Sequence, residues 1–294
     1  MTGLADLEPK ALARTLFDRV DAERLVACPD LVSVGMLAEA ARRARHGDRV
    51  TYVRVAAVTA GQGVDRGEAG EVRLVGRPES VDEARARVRA AAPLVADAVL
   101  TGYSLADLVD LVGGDHQALA DLARALSADG LVGVSAVPVD RFGDADAAVE
   151  AVRAARQGGL AVPRATVDRA PFEARLTLIE RAEVVARETG ALLAFAPLPE
   201  HDPVEEPSTG YDDVRTIALA RLCTNVTAIQ VSWALYGPKL AQVALAYGAS
   251  DLDAVAAMDT LQLGRRRSPR EDIERQIRAA FAAPAERDGR FEPR

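Results

Sequence analysis

From residue 48 onward, two periods of apolar and polar residues take turns along the chain. Short apolar or alternating runs suited to strands are followed by longer stretches repeating at helical spacing. The short runs predict strands at Val50–Val58, Glu71–Val75, Val95–Thr101, Leu131–Val137, Leu160–Val167, Ala191–Leu198 and Val226–Trp233, with an eighth near Asp251–Ala256. Helical spacing predicts Pro78–Ala92, Asp115–Ala128, Asp144–Gln157 and Phe172–Thr189 between them, and a helix on either side of the seventh strand. Asp212 and Asp213 open the first of that pair, where carboxylates suit the positive end of the helix dipole. Gly237-Pro238 starts the second, and Gly248 ends it. Ala191–Leu198 is nearly all apolar, as expected of a parallel strand covered on both faces.

Residues 9–27 and 30–46 predict two helices ahead of this series, the second capped by Asp30 and stacking Leu31, Val34, Leu37, Ala38 and Ala41 on one side. At the other end, Ser268-Pro269-Arg270-Glu271 reads as a capping box launching a terminal helix with Ile273, Ile277 and Phe281. Seven to eight βα units in series point to an α/β fold, a TIM-type (β/α) barrel. The expected division is an N-terminal helical segment, residues 1–47, packed on a barrel that occupies 48–294 with its C-terminal helix.

At 294 residues and 49% hydrophobic, the chain can fill one large core, and with 4% aromatic residues Ala and Val must do most of the filling. A net charge of −8 disfavours nucleic acid and anionic membranes as general partners. Two distant cysteines, Cys28 and Cys223, make no disulfide framework and suit a reducing cytoplasm. The opening MTGLADLEPKALARTLFDRV has no apolar signal core, and no apolar run reaches membrane-spanning length.

The words VRTIALARL, AIQVSW, GPKLAQVALAYGASDLD and, near the end, SPREDIERQIRAAFAAPAERDGRFE carry a family resemblance. They resemble the C-terminal part of the radical S-adenosylmethionine enzymes of the futalosine route to menaquinone. These are aminofutalosine synthase and dehypoxanthine futalosine cyclase, with the deazaflavin FO synthase subunits as relatives. Weaker likeness persists in GDRVTYV (47–53), GLAVPRATV (159–167) and TGALLAFAPLP (189–199). The resemblance implies a 4Fe–4S cluster held by a CxxxCxxC loop after the first strand, with S-adenosylmethionine as the second cofactor. Here the chain departs from the family: after GDRVTYV it runs RVAAVTAGQGVDRGEAGEVRLVG, without a thiol, and thiolates are the ligands such clusters take. The turn SAVPVDRFG (135–143) lacks the family's glycines and Gly-Ala-Glu, and Met258 and Asp259 stand where the family has paired glutamates. Cluster and S-adenosylmethionine are therefore both expected to be lost. The barrel has room to be incomplete or distorted there, with GQGVDRG (61–67) as a replacement loop.

Ligands in such barrels sit at the C-terminal ends of the strands. The sequence places Arg164, Thr166 and Asp168 at the end of the fifth strand, Thr166 matching the family's Ala-Thr-Met word. Arg164 and Asp168 either pair with each other or serve a ligand. Gln230 and Ser232 share the inner face of the seventh strand and need partners from the protein or a ligand, while Trp233 should pack outside. Tyr103 and Ser104 end the third strand, Ser104 as a helix cap or a ligand contact. The loop carrying Glu200, His201, Asp202, Glu205 and Glu206 also holds three prolines, so it is a solvated connection or the seat of a His201 base. His46 and His116 are too scattered to join His201 in a zinc site, and no metal is expected.

Catalytic candidates are thus Asp168, His201 and Asp259; substrate-binding candidates are Arg164, Thr166, Gln230, Ser232 and Tyr103. Two functions fit. One is a pseudoenzyme of the futalosine lineage that binds a metabolite or a protein partner, such as an active radical S-adenosylmethionine relative. The other is a cluster-independent hydrolase or isomerase acting on a small metabolite in the same cavity.

Overall fold

The computed structural model describes residues 4–59, 63, 65–201, 208–258 and 269–294. Three helices come first: α1 (Glu8–Leu12), α2 (Arg19–Ala27) and α3 (Leu31–His46). The expected helix over 9–27 is two, because Asp18 begins a new one: its side chain accepts the Asp21 N–H while that of Asp21 accepts the Asp18 N–H. Asp30 caps α3 through Ser33 N–H, as expected.

The barrel strands are β1 (Arg49–Val58), β2 (Glu71–Leu74), β3 (Val99–Ser104), β4 (Gly133–Pro138), β5 (Arg164–Val167), β6 (Ala194–Pro199), β7 (Ala228–Ser232) and β8 (Asp251–Ala256). All pair in parallel with their neighbours, and β1 closes the ring by pairing Val55–Val58 with Glu71–Leu74 on one side and Thr51–Val55 with β8 on the other. The barrel is therefore closed. The expectation of an incomplete or distorted barrel is corrected, because the strands flanking the short 59–70 connection pair directly.

Helices α4 (Val81–Ala91), α5 (Leu105–Leu111), α6 (His116–Ala128), α7 (Ala145–Gln157), α8 (Arg175–Thr189), α9 (Gly210–Cys223) and α10 (Trp233–Leu245) cover the outside. The apolar core lies between this layer and the outward strand residues, among them Val72, Ala165, Phe195, Ile229 and Leu252, all buried. The N-terminal helices pack against α9: the Phe17 N–H donates to the Leu222 carbonyl, and Arg215 reaches the Leu25 and Cys28 carbonyls. The seventh strand stops at Ser232, one residue earlier than its β-branched run suggests, because Ser232 caps α10 through Leu235 N–H. Trp233 thus opens a helix instead of ending a strand. That helix kinks at Gly237, whose φ of 72° precedes Pro238.

After α11 (Pro269–Ala279) comes an element no pattern announced: β9 (Ala283–Glu286), which runs parallel to the first half of β1. The tail beyond it crosses the N-terminal end of the barrel and sends Arg287 inside, where it makes paired bonds of 2.7 Å to Asp251. The Phe291 ring stacks 3.7 Å from the Arg287 guanidinium. No helix among the described residues is long and apolar enough to cross a membrane. Ser268, the expected cap of α11, lies outside the described residues.

Candidate functional site

The inside of the barrel is ionic rather than apolar. Side chains one apart along β2, β5, β7 and β8 point inward, and they are Glu71 and Arg73, Arg164 and Thr166, Gln230, and Asp251 and Asp253. Arg73 bridges Glu71 and Asp253, with bonds of 2.8 to 3.0 Å. Arg164 bonds Asp253, the Gln230 side-chain oxygen at 3.3 Å and the Ser135 carbonyl at 2.8 Å. The Gln230 amide donates to Asp251 at 2.7 Å, and Asp251 takes Arg287 from below. Three arginines thus face three carboxylates, and charge balances across the lattice. Burial alone would push the Asp253 carboxyl up, but the Arg164 and Arg73 guanidiniums reverse this and hold it far below the usual carboxylate range.

Above this lattice, at the C-terminal ends of the strands, opens a cavity of about 620 Å³. Its floor is Arg73, Arg164, Gln230 and Asp253; its walls include Leu74, Ala136, Ala196, Leu198, Val231 and Leu235. Val137, Val139 and Phe142 pack in the outer core, so they do not plug it. Thr166 lines the cavity while fully buried, and its hydroxyl has no hydrogen-bond partner among the described residues. A buried hydroxyl without a partner costs about 1–3 kcal/mol. The Nη2 of Arg164 also faces this space, with Glu200 4.0 Å away.

On the rim, His201 Nδ1 lies 2.8 Å from an Asp168 carboxylate oxygen. Asp140 fixes the Asp168 backbone by accepting the N–H groups of residues 168 and 169 at 2.7 Å. Arg164 and Asp168 do not pair with each other: Arg164 lies within β5 and reaches across the barrel, whereas Asp168 lies past its end and turns to His201. Ser104 caps α5 through Asp107 N–H, and Ser232 caps α10, so both hydroxyls serve helix starts at the cavity edge. Tyr103 also touches the cavity, but its hydroxyl is donated to the Ala84 carbonyl of α4. Asp259 lies outside the described residues, as do Asp202, Glu205 and Glu206.

Arg73, Asp253 and Arg287 were not among the expected site residues. For the first two a signal existed: Glu-Val-Arg-Leu and Asp-Leu-Asp alternate charge with apolar residues, which puts charges on one strand face. Nothing local marks Arg287.

The donor set does not fit an iron–sulfur cluster. Cys28 lies between α2 and α3, and Cys223 ends α9, where helices return to the opposite end of the barrel from the cavity. Neither lines it. Burial pushes the Cys223 thiol up to about 12, away from the thiolate that iron needs. Among the described residues no three His, Cys, Asp or Glu side chains converge as a metal site.

Residues 198–294 match the family model described as the CofH/MqnC C-terminal region. The chain is 31% identical over 135 residues to a 5-amino-6-(D-ribitylamino)uracil–L-tyrosine 4-hydroxyphenyl transferase of Methanococcoides burtonii, a match covering 40% of this chain and 38% of that protein. It is likewise 31% identical over 135 residues to aminodeoxyfutalosine synthase of Thermus thermophilus, covering 41% of this chain and 36% of the relative. The matches thus span well under half the length of these relatives. Among solved structures, methylornithine synthase superposes with a TM-score of 0.69 over 95% of this chain and 97% of the other, at 15% identity. At that identity the likeness concerns the fold.

Proposed function

We propose that the chain, whose residues 198–294 match the CofH/MqnC C-terminal region, is a metabolite-binding barrel of the futalosine and CofH lineage of radical S-adenosylmethionine enzymes that works without their cluster and without S-adenosylmethionine. In this reading it is a cytoplasmic pseudoenzyme that holds a small polar metabolite, for its own use or for an active relative. The observation that carries it is the pairing of a roomy cavity with the buried, unpartnered Thr166 hydroxyl. A polar group kept dry without a partner makes sense where a ligand supplies one. The two thiols sit where they cannot serve such a cavity, which supports the absence of a cluster.

The experiment is anaerobic isolation, iron and sulfide analysis, an S-adenosylmethionine cleavage assay, and native mass spectrometry for a retained small molecule. Colourless protein carrying a metabolite is expected. A brown protein with stoichiometric iron and sulfide that cleaves S-adenosylmethionine refutes the proposal.

One observation favours a second reading, a hydrolase or isomerase that needs no iron. Asp168 orients the His201 ring through Nδ1, leaving Nε2 available as a general base or acid at the cavity mouth. Turnover of the retained metabolite that is lost on His201→Gln and on Asp168→Asn would establish it.

A further inference from the structure

At the end of the barrel opposite the cavity, Arg14, Arg45 and Arg221 line one small hollow between α1, α3 and α9, together with Thr15, Leu16, Leu222 and Thr224. It is small, about 10 Å³, and the exposed Arg14 side chain borders it. Elsewhere the described arginines mostly find carboxylates, but none of these three has one within 4 Å among the described residues. Arg45 places a single nitrogen, Nη1, on the Asn225 and Val226 carbonyls, and the buried Arg221 makes one bond each from Nε, Nη1 and Nη2 to the Gly248 and Thr227 carbonyls and the Ser250 hydroxyl, so both keep N–H groups to offer. Arg14 is exposed, and its side chain makes no hydrogen bond among the described residues.

The surrounding charges do not compensate. Glu39 is engaged by Arg42 and Arg43 at 2.6 Å each. Glu183 accepts the Asn225 N–H at 2.6 Å, with its charge felt by Arg45 only at longer range. His46, bonded to the Thr227 carbonyl, is kept neutral by burial and by Arg221, its pKa lowered to about 4. Helix C-terminal carbonyls help, but a helix end carries only about half an elementary charge. Three whole cations face only these partial charges and two carboxylates at longer range, Glu183 acting on Arg45 and Glu39 on Arg221, each already bonded to other groups.

We propose that this hollow is a binding site for a small inorganic anion, chloride in solution, which bridges Arg14, Arg45 and Arg221 and pins the N-terminal helices to α9. Independent support comes from Arg221, whose pKa burial and its arginine neighbours depress to about 9, the signature of a cation short of a counter-ion. The small volume excludes organic anions, and the exposed Arg14 side leaves a path of entry.

The test uses the whole chain, exchanged into chloride-free buffer. Thermal unfolding is followed in sodium chloride, bromide and gluconate at equal ionic strength, alongside chloride NMR line widths. Chloride and bromide should raise Tm saturably, gluconate should not, and the protein should broaden the chloride line. Arg14→Gln, an exposed change that leaves the fold intact, should weaken the chloride dependence about tenfold, the size of one charged hydrogen bond. Arg153→Gln, which removes an exposed arginine far along the chain, should leave it unchanged. Equal stabilisation by gluconate, or an unaltered chloride response in Arg14→Gln, overturns the proposal.

Discussion

Replacing Asp253 by Asn keeps the shape of the most connected carboxylate in the barrel and removes its charge. In the wild type it accepts two bonds of 2.9 Å from Arg73 and one from Arg164, with its side chain 3% exposed. At an effective dielectric near 20, each close pair is worth about 4 kcal/mol of attraction. Desolvation offsets much of that in the native protein, so the intact lattice need not stabilise strongly. The variant is different, because Arg73 and Arg164 stay buried with less negative charge to face. Removing one partner from a buried pair costs about 3–5 kcal/mol. That is the loss expected in urea-induced unfolding followed by circular dichroism. Glu150→Gln, which breaks an exposed pair with Arg153, should cost no more than about 0.5 kcal/mol. Acid should act through the same group. Its folded pKa is depressed, so its contribution is complete at neutral pH and is lost as pH falls below about 4, the unfolded value. A loss below about 1 kcal/mol in Asp253→Asn, with an unchanged denaturant slope, would refute the dry, balanced lattice and imply a hydrated interior.

Thr166→Val should raise the stability of the ligand-free protein by about 1 kcal/mol, since an unpartnered hydroxyl is removed, while retention of the metabolite in native mass spectrometry falls about tenfold. Gly35→Ala should destabilise by about 1–3 kcal/mol in thermal unfolding, because a Cβ there would lie 2.7 Å from the Tyr247 ring. In native protein a thiol reagent should label Cys28 and spare Cys223, whose pKa near 12 and burial keep it protonated; mass spectrometry of the peptides decides. Because the folded pKa of His46 is lowered to about 4, its neutral form is preferred. Stability should then decline as pH drops from about 6.5 toward 4, and an NMR titration should show the ring unprotonated until the low end of that window.

Where local pattern and tertiary pairing agree, the fold was legible in the residues alone. The eighth strand spans Asp251–Ala256 as expected, since Asp-Leu-Asp alternates cleanly. The fifth starts at Arg164 and not Leu160, because Pro163 has no N–H for the ladder and Leu160 is buried without being paired. The third begins at Val99, since Val95 is buried in a turn with Ala96 at φ 48°, and burial mimicked a strand. β9 was hidden because Ala-Pro-Ala-Glu has little strand character of its own and is a strand only through β1. Face and position in the sequence suffice to put Arg164, Thr166 and Gln230 on the inside of the barrel, where they line the cavity. Their partners Arg73, Asp253 and Arg287 come from strands and a tail that sequence cannot bring together.

The first strand ends up between neighbours made at very different times. Val55 can meet Glu71 soon after both leave the ribosome, but Thr51 waits for Asp251, 200 residues further along the chain, and for Ala285 beyond it. Until then an apolar strand has an open edge, which is the kind of surface that recruits a neighbouring chain. Such long-range closure also slows folding. The half-built ring is therefore exposed while the long intervening stretch is made, and that interval is when it can pair with another chain.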